Sequence, residues 1–225
     1  MVKIKICGIS EAEHASTSAA AGADILGLVF AESRRRVTLE KAREIVDAAH
    51  GLTPHPKIAG VFVNSPAVDV NHIASVCHLD FVQLSGDENR EYCRKINFSI
   101  IKVIHVMSNT NIDGVSSEIR EFNQLQSLQN TIFMLDTKKA NSFGGTGKAF
   151  DWKLVTRLSA NRNIMVAGGL DSSNVTRLLE LCTPWGVDVS SGVETQGKKD
   201  MQRVKSFIET VRNCEKREEG GSGVS

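Results

Sequence analysis

Residues 3–10, KIKICGIS, end a short apolar run on Cys7, with a glycine directly after it. A thiol is inert, whereas its thiolate is a strong base and nucleophile; a nearby cation, arginine or helix N-terminus favours that form. A cysteine at a strand end is also a small buried hydrophobe, so packing and chemistry both stand as readings. The second ionisable strand end is Asp136, closing the run TIFMLD. An aspartate there can simply satisfy backbone donors of a loop. In a cleft shielded from water, desolvation would raise its pKa and let it donate a proton. Cys7 and Asp136 around one mouth would make an acid–base couple.

Two further stretches have the character of anion sites. IMVAGGLDSSN and GVDVSSGVE both run from a strand into a turn of small residues, and supply Gly168, Gly169, Ser190, Ser191 and Gly192. Such turns let backbone N–H groups approach a phosphate closely. The cluster Ser33, Arg34, Arg35, Arg36 is a solvated face in its plainest reading, and at an active end one arginine could grip a carboxylate with two parallel hydrogen bonds. Asp188, Gln83 and His105 also fall at strand ends, where they could hydrogen-bond a ligand. The stretch 142–148, SFGGTGK, imitates a nucleotide-binding P-loop but has Ser142 and Ala149 where glycine and Ser or Thr are required.

Side chains this far apart meet only if a regular scaffold brings strand ends together. Short runs rich in Val, Ile, Leu and Phe recur at 3–7, 24–30, 57–63, 79–84, 99–106, 131–136, 163–167 and 185–190. They are too short for helices and mostly lack alternation, as expected of strands buried on both faces. Helical patterns lie between them, as at 39–49, 171–181 (with Asp171 as N-cap) and 199–212. Eight strand–helix units predict a single-domain α/β fold, a (β/α)8 TIM barrel over residues 1–213. An open doubly wound sheet is the alternative, but the first turn, CGIS, has no GxGxxG. In such a barrel the site sits at the C-terminal strand ends, and phosphate commonly binds after strands 7 and 8. The interval 137–150 is long for a βα loop and glycine-rich, which suggests a lid over the mouth. Residues 214–225, CEKREEGGSGVS, have the composition of a disordered tail.

The totals narrow the function classes. Lys plus Arg is 27 and Asp plus Glu is 26, a net charge of +1, which gives no reason to expect nucleic acid or an anionic membrane as partner. No apolar stretch is long enough for a membrane span. The five cysteines are scattered and never spaced CxxC, so neither a disulfide framework nor a structural metal is expected, and the chain reads as cytoplasmic.

The blocks KICGI (5–9), GLVFAESRRRV (27–37), GVFVN (60–64), FVQLSG (81–86), FMLDT (133–137), FGGTGK (143–148), VAGGL (166–170) and DVSSGVE (188–194) together resemble phosphoribosylanthranilate isomerases of tryptophan biosynthesis, in order from residue 1 to about 212. The resemblance implies a (β/α)8 barrel, monomeric or homodimeric, performing a cofactor-free Amadori rearrangement on a small phosphorylated substrate. It implies Cys7 as general base, Asp136 as general acid, and Arg35, or its neighbour Arg36, on the anthranilate carboxylate. Gly168, Gly169, Ser190, Ser191 and Gly192 would carry the phosphate, with Gln83 and Asp188 near the substrate. Two departures stand out: Ser85 replaces a histidine common in the family's VQLHG, and SRR replaces its SPR. The rivals are a sibling sugar-phosphate isomerase or synthase barrel, which would need other strand-end residues, and a non-catalytic barrel that binds phosphosugars.

Overall fold

The computed structural model describes residues 1–107, 110–125, 128, 130–137, 152–158 and 163–221. The region expected to form a lid falls almost wholly outside the described residues. Eight parallel strands alternate with helices: β1 (Lys3–Cys7), α1 (Ala12–Ala20), β2 (Ile25–Val29), α2 (Leu39–His50), β3 (Lys57–Phe62), α3 (Ala67–Val76), β4 (Phe81–Leu84) and α4 (Arg90–Cys93). The second half continues β5 (Ser99–Val106), α5 (Ile112–Asn123), β6 (Ile132–Thr137), α6 (Lys153–Leu158), β7 (Ile164–Val166), α7 (Val175–Leu181) and β8 (Gly186–Val189). A 3-10 turn (Ser191–Val193), a two-residue ribbon β9 (Glu194–Thr195) and β10 (Lys198–Lys199), and α8 (Met201–Gly221) complete the chain.

The strands form a closed ring in sequence order, with β8 pairing back onto β1. Successive side chains on a strand point to opposite faces, which explains why the strands look apolar throughout. One face of each strand packs outward under the helices, where Ile4, Ile6, Leu26, Leu28, Ile58 and Phe62 join the main core. The other face fills the ring with Ile25, Ala59, Ile101, Val103, Ile132, Met134, Met165 and Ala167. Above this plug a smaller layer of Cys7, Val29 and Val61 floors the mouth. The parity that puts Cys7 inside also puts Lys5 inside, since the two are one pleat apart on β1.

The start of α7 and the end of α8 are among the element boundaries that differ from the sequence reading. Helix α7 begins at Val175 rather than 171. The Asp171 carboxylate accepts from the backbone N–H groups of Ser173 (2.8 Å) and Asn174 (3.1 Å), so it stabilises a turn that precedes the helix instead of capping the helix itself. The tail expected from residue 214 is helical to Gly221. Its residues Glu, Lys and Arg are strong helix formers, and their helix is anchored to the start of the chain. Glu215 accepts from Arg212 Nη1 (3.1 Å) and from the backbone N–H of Val2, while Arg212 Nη2 donates to Asp24 Oδ2 (2.6 Å) and Arg212 Nη1 to the Val2 carbonyl (2.8 Å). Residues 222–225 lie outside the described residues.

This anchorage predicts that Glu215→Ala lowers the urea midpoint at unchanged m value, by about 1–2 kcal/mol for loss of a charge-assisted, partly buried contact. A midpoint equal to that of the parent would show that the end of α8 contributes nothing to holding β1.

Candidate active site

The C-terminal ends of the strands surround a cleft enclosing about 180 Å³. Cys7, Gln83, Asp136, Gly168, Gly169, Asp188, Ser190, Ser191 and Gly192 all line it, together with Arg35, Ser85 and His105. Arg36 is exposed and does not contribute to the wall. One position along the loop after β2 therefore separates an arginine in the cleft from one in solvent. Cys7 and Asp136 stand on β1 and β6, three strand steps apart through β8 and β7.

The floor of the cleft is charged. Lys5 has no exposed surface, and its ammonium donates to Asp188 Oδ1 at 2.7 Å. Burial alone would disfavour the Lys5 cation, but Asp188 and Cys7 outweigh it and hold its pKa above the ordinary lysine value. Burial pushes the Cys7 thiol up, with Asp188 acting in the same direction; Lys5 and Lys199 oppose them. On the β4–β5 side, Gln83 Nε2 donates to Ser85 Oγ (3.1 Å), and His105 Nε2 lies 3.0 Å from the Ser85 carbonyl. The Gln83 side-chain carbonyl is buried in the cleft wall as an unmet acceptor among the described residues.

The loops after β7 and β8 meet at the other end. Gly168 and Gly169 both have positive φ, +85° and +71°, which non-glycine residues rarely adopt. A side chain at Gly192 would overlap the Leu170 carbonyl, so the two turns are in direct contact. Ser190 Oγ donates to the Cys7 carbonyl (3.0 Å), tying this cradle to the end of β1.

Glu194 links the arginine loop to that cradle. Its carboxylate, 4% exposed, accepts from Arg35 Nε (2.6 Å) and Nη2 (2.9 Å), Arg34 Nη2 (2.7 Å) and Lys199 Nζ (2.9 Å). Lys199 also donates to the Ser190 carbonyl at 2.8 Å. Arg35 thus reaches the cleft already fixed by a two-pronged carboxylate contact, the geometry that suits guanidinium best. Burial opposes ionisation of Glu194, but the hydrogen bonds from Arg35 and Lys199 win and hold its carboxyl below the usual value.

Comparison with known proteins agrees with this geometry. Residues 4–210 match the family model described as N-(5′-phosphoribosyl)anthranilate (PRA) isomerase. The chain belongs to that family. A relative from Dehalococcoides mccartyi, named N-(5′-phosphoribosyl)anthranilate isomerase, is 48% identical over 216 residues, covering 96% of this chain and 98% of the relative. The phosphoribosyl anthranilate isomerase of Thermotoga maritima superposes with a TM-score of 0.81 at 36% identity, over 95% of this chain and all of the other. A crystal structure of the isomerase holding reduced 1-(o-carboxyphenylamino)-1-deoxyribulose 5-phosphate superposes with a TM-score of 0.78 at 34% identity, with the same coverage.

In this member of the isomerase family, the sequence reading missed three charged residues around the site. Lys5 was visible as the interior neighbour of Cys7 on a short buried strand, where a lysine is unexpected. Glu194 closes the DVSSGVE block, yet nothing local marks a partner 159 residues away. Lys199 falls within the 199–212 pattern read as helix, whereas it sits on β10, ahead of α8. Among the described residues, no group of three or more His, Cys, Asp or Glu could hold a metal ion, and no helix is long and apolar enough to cross a membrane.

The Glu194 contacts predict a pH-dependent cost for Glu194→Gln. A carboxyl whose folded pKa is lowered contributes stability present above its unfolded value, lost as pH falls through the folded one. The variant should therefore be less stable near neutrality by about 3–5 kcal/mol, as for a broken buried pair. The gap should close in acid below the ordinary glutamate range, where the parent is protonated too. Thermal melts across that range check it; a gap independent of pH would overturn this account.

Proposed function

We propose that this enzyme converts N-(5-phosphoribosyl)anthranilate into 1-(2-carboxyphenylamino)-1-deoxyribulose 5-phosphate, the isomerisation step of tryptophan biosynthesis, with Asp136 as general acid and Cys7 as general base. The observation that carries the reading is the meeting in one cleft of both candidate groups, a fixed arginine and two small-residue loops. The substrate is anionic at both ends, which suits Arg35 near the anthranilate carboxylate and backbone N–H groups of Gly168, Gly169, Ser190, Ser191 and Gly192 around the phosphate. Support also comes from the related crystal structure that binds a reduced form of this product.

The chemistry asks for one proton in and one proton out. Protonation of the furanose ring oxygen by the Asp136 carboxyl breaks the C1′–O bond, and the nitrogen lone pair forms an iminium. The Cys7 thiolate then takes the C2′ proton, and the C2′–H electron pair becomes the C1′–C2′ double bond of an enolamine while nitrogen recovers its lone pair. Protonation at C1′ and loss of the C2′ hydroxyl proton give the ketone. The oxidation change is internal, with C1′ reduced and C2′ oxidised, so the step itself calls for no external oxidant or reductant. In this reading Asp188 and the unmet Gln83 acceptor would receive hydrogen bonds from the substrate's amine or hydroxyls.

Turnover followed by loss of phosphoribosylanthranilate fluorescence tests the assignment. Cys7→Ala and Asp136→Asn should each lower kcat by about 10²–10⁴-fold. Arg35→Ala should act mainly through KM. Normal turnover in Cys7→Ala would refute the mechanism.

A further inference from the structure

The Cys7 base needs a counter-charge, and the structure places one directly beside it. Lys5 and Cys7 share the inner face of β1, and the neighbouring residue of β2, in register with Cys7, is Gly27. A methyl group at Gly27 would stand 3.0 Å from Cys7 Sγ and 3.0 Å from Lys5 Nζ. Sulfur and nitrogen therefore converge on one bare patch of backbone, and any larger residue there would drive into both. The Lys5 ammonium has three donors. Asp188 takes one at 2.7 Å, which leaves others for the sulfur.

A purely structural explanation of Lys5 is weak. Burying an ion pair is often neutral or unfavourable compared with apolar residues of similar volume, and the ring plug beneath is otherwise apolar. We propose that Lys5 is a positioning residue for the isomerisation: held by Asp188 beneath the mouth, its ammonium is the counter-charge that lets Cys7 stand as a thiolate when it removes the C2′ proton. This rests on the reading of Cys7 as the base. In that step the S–H bond forms as the C2′–H bond breaks, so the negative charge facing Lys5 leaves the sulfur as the iminium is neutralised. Asp188 keeps the cation in place through the cycle.

The other charged groups around Cys7 frame the test. Asp188 approaches from β8 and opposes ionisation of Cys7, while Lys199 from β10 favours it less than Lys5 does, its ammonium being occupied by Glu194 and the Ser190 carbonyl. Glu32 and Arg35 after β2, His105 on β5 and Asp136 on β6 line the same cleft; the cleft-lining residues of β3 and β7 carry no charge. Burial lifts the Cys7 thiol, and Lys5 is the largest influence against it.

Lys5→Met retains length and removes the charge. Two readouts apply: the pH profile of kcat/KM, and the pH dependence of Cys7 alkylation by iodoacetamide, with the modified peptide identified by mass and Cys7→Ser as the blank. The alkylation midpoint should rise by about 1–3 pH units, the effect of removing a close opposite charge, and the acidic limb of kcat/KM should rise with it. Activity at neutral pH should fall at least about tenfold and recover as pH increases. Lys5→Arg, which keeps a cation, should return the midpoint toward that of the parent. Should Lys5→Met fail to fold around an unpaired Asp188, Lys5→Met/Asp188→Asn compared with Asp188→Asn alone isolates the same charge, and the midpoint should again be higher without Lys5. An unchanged midpoint in the folded variant, whatever its turnover, would overturn the proposal. Alkylation needs no catalysis, so that failure is distinct from failure of the base assignment, which normal turnover in Cys7→Ala would signal.

Discussion

Strand β1 hydrogen-bonds to β8 in the register Lys3 with Gly186 through Ile6 with Val189, and this contact between the two ends of the chain closes the ring that carries every site residue. The same register sets Lys5 opposite Asp188, so ring closure and the buried ion pair are one event in space. The first strand brings the proposed base and Lys5; the last brings Asp188, which holds Lys5, and half of the proposed phosphate cradle. Such a seam joins residues 183 apart, a costly closure in chain entropy. Both ends of the seam are reinforced: Ser190 reaches the Cys7 carbonyl at the mouth, and Arg212 with Glu215 grips Val2 and Asp24 at the base. The extension of α8 past residue 213 makes sense in this light, because Arg212 and Glu215 hold the outer end of the strand that carries Cys7.

Buried charge is concentrated toward the mouth. Lys5 answers Asp188, Lys199 answers Glu194, and Lys102 answers Glu88 at 3.2 Å. The last pair also organises backbone: Glu88 accepts from the N–H groups of Asn64 (2.8 Å) and Gly86 (2.9 Å), and Lys102 donates to the Gly86 carbonyl (2.9 Å). Loops after β3 and β4 are thereby held as firmly as those after β2 and β8. Ion pairs away from the cleft, such as Lys57 with Asp80, are more exposed and worth little. Within an otherwise apolar ring, the Lys5–Asp188 pair thus lies where chemistry would use it, as expected when fixed charges must already be in place before the reaction, whereas Lys102 faces outward and its pair with Glu88 organises loops.

The strands were legible in the sequence because each is short and apolar on both faces, the signature of a sheet enclosed between a plug and a layer of helices. The candidate cleft followed from strand ends alone: Cys7, Asp136 and the two glycine- and serine-rich turns needed only the rule that this fold works at one end. What stayed illegible depends on distance or on a single step of geometry. Glu194 finds Arg35 only after folding. Arg35 and Arg36 are chemically identical neighbours, and only the path of the loop decides which enters the cleft. Asp171 resembles a helix cap because caps and Asx turns use the same carboxylate contact with backbone N–H groups two or three residues on. Lys5 needed one further step: once Cys7 is placed on the inner face of β1, parity sends the lysine two residues before it inward as well.

Local charge, rather than the net charge of +1, bears on how the protein would attract an anionic substrate of the proposed kind. Around Glu194, three cations share one carboxylate, leaving a local surplus of two positive charges between the arginine loop and the phosphate cradle. At the floor the account is balanced, with Lys5 and Asp188 cancelling until Cys7 ionises. The cleft therefore separates two tasks by charge. In the proposed mechanism the cations around Glu194 would favour capture of an anion, while the Lys5–Asp188 floor, neutral at rest, would stabilise a single thiolate. Had the surplus been placed at the floor instead, the thiolate would form readily but would be too weak a base to take a carbon-bound proton, because each stabilising charge lowers basicity as it raises the ionised fraction. One shared lysine beneath the sulfur, half engaged by a carboxylate, sits between those extremes.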